Sequence, residues 1–363
     1  MIHDPAVPRR DALLRTETMA GVISRRLLGG VPVERCERVY VKYRVGDSLR
    51  VVYRYDGHYV AARTGKRDGI AAPEVGAALY PFPHDRKLTA LAALQPVAQR
   101  LLDQPVTTHL VAYAAEQSAT AECRDEHGHL LAYAKVGRTD TERRGCDLLA
   151  SGVRVPRILA SADGVLLLEP LAGRRLDQID ALDGLGATLA NLHHTNINGD
   201  SPRLSRLYPE RLATAAEVLA TVRPDVAGAA ERLLQRLLER AEDSERELVC
   251  VHGDANLRNA LLLPSGEVAL LDLEDLSIGP AAADLGQLLA ALIVNRTPKA
   301  AQALLAGYGT PPDSVALRWH TAASLLARQA LPAISRHRPP LLARLRELLD
   351  AGSALVTSME VAA

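Results

Sequence analysis

Asp254 stands five positions before Asn259, and Asp272 thirteen positions after it, in His252-Gly253-Asp254-Ala255-Asn256-Leu257-Arg258-Asn259 and Leu270-Leu271-Asp272-Leu273-Glu274-Asp275. One carboxylate and one amide oxygen converging on a point suit a hard cation such as Mg²⁺, which takes few protein ligands and completes its octahedron with water and phosphate oxygens. With Asn259 and Asp272 on such a cation, Asp254 is left to orient or deprotonate an attacking hydroxyl. Phosphoryl transfer asks little more of a protein than positioning and charge neutralisation.

The elements around these residues must bring them together. Glu247 to Val251 reads as a short apolar β-type run that delivers His252 to a strand end, with Asp254 and Asn259 on the loop behind it. Ala260 to Leu263 and Glu267 to Leu271 are two apolar runs joined by Pro264-Ser265-Gly266, the signature of a hairpin. A hairpin returns the chain to its start, so Asp272 is expected beside Asn259.

The pattern HGDxxxxN followed by DxE resembles the aminoglycoside phosphotransferase family, small-molecule relatives of the protein kinases, whose HRDxxxxN and DFG signatures share both spacings. The resemblance implies an α+β, protein-kinase-like bilobal fold with a β-rich amino-terminal lobe and a mostly helical carboxy-terminal lobe. It implies Asp254 as catalytic base, Asn259 and Asp272 as Mg²⁺ ligands, and ATP or GTP as phosphoryl donor. Gly253 stands where protein kinases keep Arg, as is usual in small-molecule kinases. Asp284, in Gly279-Pro280-Ala-Ala-Ala-Asp284-Leu285, matches a later family Asp that is structural, and His252 is read as structural too. Glu274 either reaches a second metal or is a solvated loop carboxylate.

Upstream, Thr108–Tyr113, Ala119–Arg124, a turn at Asp125–Gly128, Leu130–Val136, a helix over about 140–150, Arg157–Ala160 and Val165–Glu169 follow the order of a kinase amino-terminal lobe. Lys135 then falls where that fold keeps the lysine contacting the α- and β-phosphates. It is one of only five lysines, at 42, 66, 87, 135 and 299, against 38 arginines, so a retained Lys is informative. Glu142, on the following helix, is either the ion-pair partner of Lys135 or part of a capping box, Thr139-Asp140-Thr141-Glu142. Glu169 and Leu171 resemble the hinge whose backbone binds the adenine edge. The stretch matching the phosphate loop, Ala114-Ala115-Glu116-Gln117-Ser118, has no glycine, so phosphate cradling falls to Gln117-Ser118.

Residues 1–103 are expected to form an added amino-terminal cap region, 104–172 the nucleotide lobe with its hinge, and 173–363 the helical lobe with the acceptor pocket. Tyr43, Ser48 and Gly57-His58 recur as Tyr113, Ser118 and Gly128-His129 at offsets of 70 or 71. This is either a duplicated hairpin unit, forming a cap like that of some bacterial maltokinase-like proteins, or two generic hairpins. Helices are expected at Leu182–His194, Pro209–Val222, Val226–Arg240, Asp284–Val294, Ala300–Tyr308, Asp313–Gln329 and Pro340–Leu355.

Composition narrows the partners. The formal net charge is zero and no polybasic block occurs, which excludes the electrostatic footprint of nucleic-acid or anionic-membrane binding. The start lacks an apolar signal core and no run of about 18 apolar residues occurs, so a cytoplasmic protein is expected. Cys36, Cys123, Cys146 and Cys250 fit neither a zinc site nor a disulfide framework. Residues 285–363 hold eight Arg or Lys against four acids, which disfavours a polycationic acceptor, although Asp177, Asp180 and Asp183 offer a local acidic rim. The expected activity is transfer of the γ-phosphate to a hydroxyl of a small molecule, favouring a neutral sugar or glycosylated metabolite. The alternatives are an aminoglycoside-resistance phosphotransferase and a non-catalytic nucleotide-binding pseudokinase, and the oligomeric state is left open.

Overall fold

The computed structural model describes residues 3–66, 68–149, 152–176, 181–196, 209–241, 248–297 and 299–358. They divide into two compact units, one comprising 1–139, 159–170 and 334–337, the other 140–158, 171–333 and 338–363. The two β-rich segments read separately in the sequence therefore lie in one unit. The sequence places the hinge at Glu169 to Leu171, and the chain leaves the first unit between Pro170 and Leu171.

The first unit opens with helices α1 (Arg10–Leu14) and α2 (Thr16–Leu27). Its first antiparallel sheet has five strands, β1 (Cys36–Arg44), β2 (Ser48–Tyr55), β3 (His58–Thr64), β4 (Ile70–Ala72) and β5 (Ala77–Pro81), in the order β1-β2-β3-β5-β4. After α3 (Leu94–Leu102) comes a second sheet of β6 (Thr107–Ala114), β7 (Ser118–Arg124), β8 (Leu130–Val136), β9 (Ile158–Ala162) and β10 (Val165–Leu168), in the order β6-β7-β8-β10-β9. Strand β7 shows why this sequence pairs as it does: Ala119, Ala121 and Cys123 are buried and alternate with partly exposed residues, the period of a sheet with one covered face.

The two sheets share a core. Val52, Ala61 and Ala78 of the first sheet and Ala119, Ala121, Ala132, Ala134 and Leu167 of the second belong to one buried cluster, completed by Leu91, Leu94 and Val97 around α3. The other face of the first sheet is also buried: Leu49, Val51 and Tyr53 lie inside, and the Tyr53 hydroxyl donates to the Leu13 carbonyl of α1. Small side chains let the sheets approach closely. This is how a chain with one Phe and one Trp builds a dense interior.

The second unit is mostly helical. It contains α4 (Thr139–Leu149), β11 (Arg174–Arg175), α5 (Leu182–His193), α6 (Pro209–Val222), α7 (Ala227–Glu239), β12 (Leu248–Val251), β13 (Ala260–Leu262), β14 (Val268–Leu270), β15 (Ser277–Pro280), α8 (Ala281–Val294), α9 (Ala300–Tyr308) and α10 (Ser314–Ser324). Strand β12 pairs with β15, and β13 pairs with both β11 and β14. The single tryptophan, Trp319 on α10, is buried and donates its indole N–H to the Leu237 carbonyl at 3.0 Å, so its polar edge is satisfied.

Two helices differ from the sequence reading. Asp313 caps α10, accepting from the Val315 N–H at 3.1 Å, but the helix read through to Gln329 changes pitch at Leu325 and continues to Ala330 as a π-helix. The segment read as one helix over Pro340–Leu355 is two, Pro339–Leu342 and Leu345–Thr357. Periodicity over a few turns distinguishes neither a wide turn nor a short break. None of the helices described is long and apolar enough to cross a membrane.

Candidate active site

The hairpin read from the sequence forms, and it positions the site. Ala260 pairs with Leu270 across β13 and β14, and the Leu271 N–H donates to the Asn259 carbonyl at 2.8 Å, so the backbone entering Asp272 lies against Asn259. Asp272 itself has φ 61° and ψ 62°, the left-handed region that a non-glycine residue enters only at a cost. Such strain persists where surrounding structure enforces it, and it concentrates at functional sites.

Asp272 does not stand alone. One carboxylate oxygen from each of Glu142, Asp272 and Glu274 lies within 4.8 Å of the others, with Glu142 buried and the other two partly exposed. Helix α4 reaches this cluster through Gly145, one turn beyond Glu142. A Cβ there would lie 2.6 Å from the Leu273 Cβ and 2.7 Å from the Leu273 carbonyl oxygen, closer than side chains pack. Gly145 thus lets α4 lie directly on the acidic segment.

The loop Asp254–Asn259 is fixed by its own side chains. Asn256 donates to the Asp254 carbonyl at 2.9 Å and accepts from the Arg258 N–H at 3.0 Å, capping the single 3₁₀ turn Leu257–Asn259. The Asn259 amide nitrogen donates to the same Asp254 carbonyl at 3.1 Å. That bond fixes the side chain by its nitrogen and leaves the Asn259 oxygen without a protein partner among the described residues, the disposition of a hard-cation ligand. Asp272 and the Asn259 oxygen give the one carboxylate and one amide oxygen that Mg²⁺ takes from a protein, with Glu274 beside them, so the residues present fit the cation.

Asp254 has two unlike oxygens. Its Oδ1 accepts from the Arg328 guanidinium at 2.7 Å and from the Gln287 amide at 3.0 Å, while Arg328 also donates to the Gly253 carbonyl at 2.5 Å. Among the described residues, its Oδ2 has only a long 3.5 Å contact with the Asn256 amide. The carboxylate is about one-third exposed against a buried guanidinium. One oxygen is therefore anchored and the other is held loosely. Arg328 sits on the π-helix and Gln287 on α8, and a widened turn is a common device for aiming a side chain into a site.

Behind the loop lies a buried relay. The Asp254 N–H donates to Nδ1 of His252 at 3.3 Å, and Nε2 of His252 lies 2.9 Å from the Leu271 carbonyl, so the ring carries its proton on Nε2 and ties the catalytic loop to the strand end before Asp272. Asp284 is 1% exposed and accepts from the N–H groups of His252 at 2.7 Å and Gly253 at 3.1 Å. Nε2 of His193 lies 3.2 Å from Asp284, and its Nδ1 2.8 Å from the Tyr308 hydroxyl. Burial by itself pushes the Asp284 carboxyl up, but the hydrogen bond and charge of His193, with the His252 N–H, outweigh it and hold the group below the ordinary carboxylate range. Burial and the neighbouring Asp284 push the Cys250 thiol up to about 12, which fits a packed rather than a reactive cysteine.

Gly253 is the tightest point. It has φ 76°, and a Cβ there would meet the Asp275 carbonyl oxygen at 2.2 Å. Gly253→Ala must displace either the catalytic loop or the acidic segment, and a displacement of about 1 Å at reacting groups costs roughly 10²-fold. A fall in kcat of that order is expected with the protein still folded, checked by steady-state kinetics beside circular dichroism.

The remaining residues singled out in the sequence fall as follows. Lys135 is on β8 of the first unit, opposite Thr120 and Leu166. Ser118 opens β7, opposite Ala114, and Glu169 follows β10 in the same unit, whereas Leu171 begins a stretch of the second. Asp183 is in the first turn of α5, and Asp177 and Asp180 lie outside the described residues. Asn256, Gln287, Arg328, Gly145 and His193 were not read from the sequence as site residues. Asn256 alone carried a local signal, as an Asn placed to cap a turn.

No curated protein sequence matches the chain. Among solved structures, a spectinomycin phosphotransferase, APH(9)-Ia, in complex with ADP and spectinomycin aligns over 73% of this chain and 98% of its own with TM-score 0.57 and 12% identity. A gentamicin complex of APH(2")-IIa aligns over 72% and 97% with TM-score 0.53 and 15% identity. A macrolide 2'-phosphotransferase type I covers the same shares with TM-score 0.53 and 16% identity. At these identities the likeness is one of fold, and it agrees with the kinase-like arrangement expected from the motifs. The model of the phosphotransferase enzyme family matches residues 132–320, which include Lys135, the acidic cluster, the catalytic loop and Asp284, and the chain belongs to that family.

Proposed function

We propose that this ATP- and Mg²⁺-dependent phosphotransferase acts on a hydroxyl of a neutral small molecule, a sugar or glycosylated metabolite, with Asp254 as the catalytic base. The observation that carries the reading is the asymmetry of Asp254. Its Oδ1 is held by Arg328 and Gln287, so Oδ2 accepts the proton of the acceptor hydroxyl as the new O–P bond forms and the bond from the γ-phosphorus to the bridging oxygen of ADP breaks. Asn259 and Asp272, with Glu274 beside them, would hold Mg²⁺, which supplies charge neutralisation on the phosphates when bound. On this reading Lys135 contacts the α- and β-phosphates, and the backbone at Glu169 and Leu171 takes the adenine edge.

The preference for an uncharged acceptor rests on Arg328. A fixed guanidinium at 2.7 Å from the base places positive charge where the acceptor must arrive, which repels an ammonium-bearing substrate. Kinases of polycationic substrates need the opposite field. The test is transfer of γ-labelled phosphate from MgATP into a panel of neutral sugars, neutral glycosides and aminoglycosides. Label in the neutral acceptors alone supports the proposal, label in aminoglycosides overturns the acceptor preference, and nucleotide binding with transfer to nothing favours the pseudokinase reading.

A further inference from the structure

The first sheet repeats the second strand for strand. Both run in the spatial order first-second-third-fifth-fourth, and each first strand carries one register shift, between Arg38 and Tyr40 in β1 and between Leu110 and Ala112 in β6. Arg44 pairs with Ser48 as Ala114 pairs with Ser118. Counting from these pairs, Arg50 opposite Arg63 corresponds to Thr120 opposite Lys135, and Arg63 opposite Ala78 to Lys135 opposite Leu166. The residue after each third strand is a left-handed glycine, Gly65 at φ 70° and Gly137 at φ 87°. Arg63 therefore occupies, in the first sheet, the position of Lys135 in the second.

The two equivalent faces have different fates. Arg63 shares its face with Ala61, which is in the common core, so that face of the first sheet is packed on the second sheet. Lys135 alternates with the buried Ala134 and Val136 and points to the other side of its sheet. The face that would hold phosphates in the first sheet is filled by the protein itself.

What fills it is the turn between β6 and β7. Glu116, at the centre of that turn, has its carboxylate 3.4 Å from the Arg50 guanidinium, 3.1 Å from that of Arg63 and 3.5 Å from that of Arg86. Arg50 also donates to the Ala115 carbonyl, and the Tyr40 hydroxyl to the Gln117 side-chain oxygen. The Glu116 N–H donates to Asp85 at 2.8 Å, and the same carboxylate oxygen accepts from the Tyr113 hydroxyl at 2.8 Å. Glu116 sits at φ 61°, and its counterpart in the first sheet is a glycine, Gly46, at φ 72°. A glutamate in a conformation that suits glycine is kept there by its surroundings, here the arginines on its side chain and Asp85 on its N–H.

We propose that the first sheet is a degenerate nucleotide lobe whose arginines clamp the turn Ala114–Ser118, and that Glu116 is the positioning residue through which the clamp sets nucleotide affinity. The proposal rests on the reading of this turn as the phosphate loop. It accounts for the absence of glycine there: a loop held from behind by three arginines arrives preformed and does not have to be ordered by the phosphates.

The test combines amide hydrogen exchange over residues 114–118 with MgADP titration calorimetry on the full chain. Glu116→Gln keeps the shape and removes the charge, Arg86→Gln loosens the most exposed arm of the clamp and is the variant to use if Glu116→Gln does not fold, and Glu116→Asp is the conservative control. The expected result is exchange at 114–118 faster by tenfold or more without nucleotide, with MgADP bound at least fivefold more weakly and partial recovery in Glu116→Asp. Unchanged exchange overturns the clamp. Faster exchange with unchanged MgADP affinity overturns the positioning role, since a purely structural contact would give that pattern. A wild-type chain that binds no MgADP removes the nucleotide reading and the positioning role with it.

Discussion

Asp254→Ala is expected to lower turnover by roughly 10²–10⁴-fold, the usual worth of a positioned general base, while MgATP binding survives. The binding groups assigned to the nucleotide and the cation do not include the Asp254 side chain, which among the described residues meets Gln287, Arg328 and Asn256. The variant also leaves Arg328, which is 9% exposed, without its carboxylate, so part of the loss is a repositioned guanidinium rather than a missing base. Asp254→Asn separates the two effects: it keeps an oxygen for Arg328 and Gln287 but cannot accept a proton as a carboxylate does. A rate for Asp254→Asn close to wild type, in steady-state assays under saturating MgATP, would remove Asp254 as the base.

The site was legible where its residues are near one another in sequence. A strand end, a loop of five positions and a hairpin that returns the chain are local devices, and turn residues such as Ser265 and Gly266 announce them. The strand β12, the hairpin and the helices from α5 to α9 accordingly form close to their expected bounds. Arg328 was not legible, because it reaches Asp254 across 74 positions from a stretch, Leu325–Ala330, whose π pitch has no counterpart in composition. The count of arginines in the last third of the chain does not say what each one does. Arg296 and Arg344 pair with Glu347, Arg318 donates to the Ser358 carbonyl and Arg346 to the Asp225 carbonyl, so these charges tie segments of the second unit together. Arg328 instead meets the Asp254 carboxylate.

The first sheet shows the same limit from another side. Offsets of 70 or 71 were visible in Tyr43, Ser48 and His58, but β4 and β5 are three and five residues long, too short to announce themselves by alternation. Pairing at a distance, Arg63 with Ala78 and Lys135 with Leu166, is what brings the two sheets into correspondence. The meaning of Glu116 depends on φ and on three arginines from separate segments.

Asp284→Ala is expected to remove several kcal/mol of stability. The carboxylate is fully enclosed and accepts from two backbone N–H groups and from His193, so the substitution strands three buried donors, each worth about 1–3 kcal/mol when unsatisfied. Two of those donors belong to His252 and Gly253, so the loss falls on the loop that carries Asp254, and turnover should fall with stability. The pH dependence has a definite sign. A carboxyl held below its unfolded value of about 3.9 contributes stability that is fully present above that pH and disappears as pH falls through the folded value. The wild type should therefore lose stability on acidification below about pH 4 more steeply than Asp284→Ala, whose curve lacks this term. Urea midpoints measured from pH 3 to pH 7 decide it: parallel curves would mean that Asp284 is no better stabilised as an anion in the folded chain than in the unfolded one.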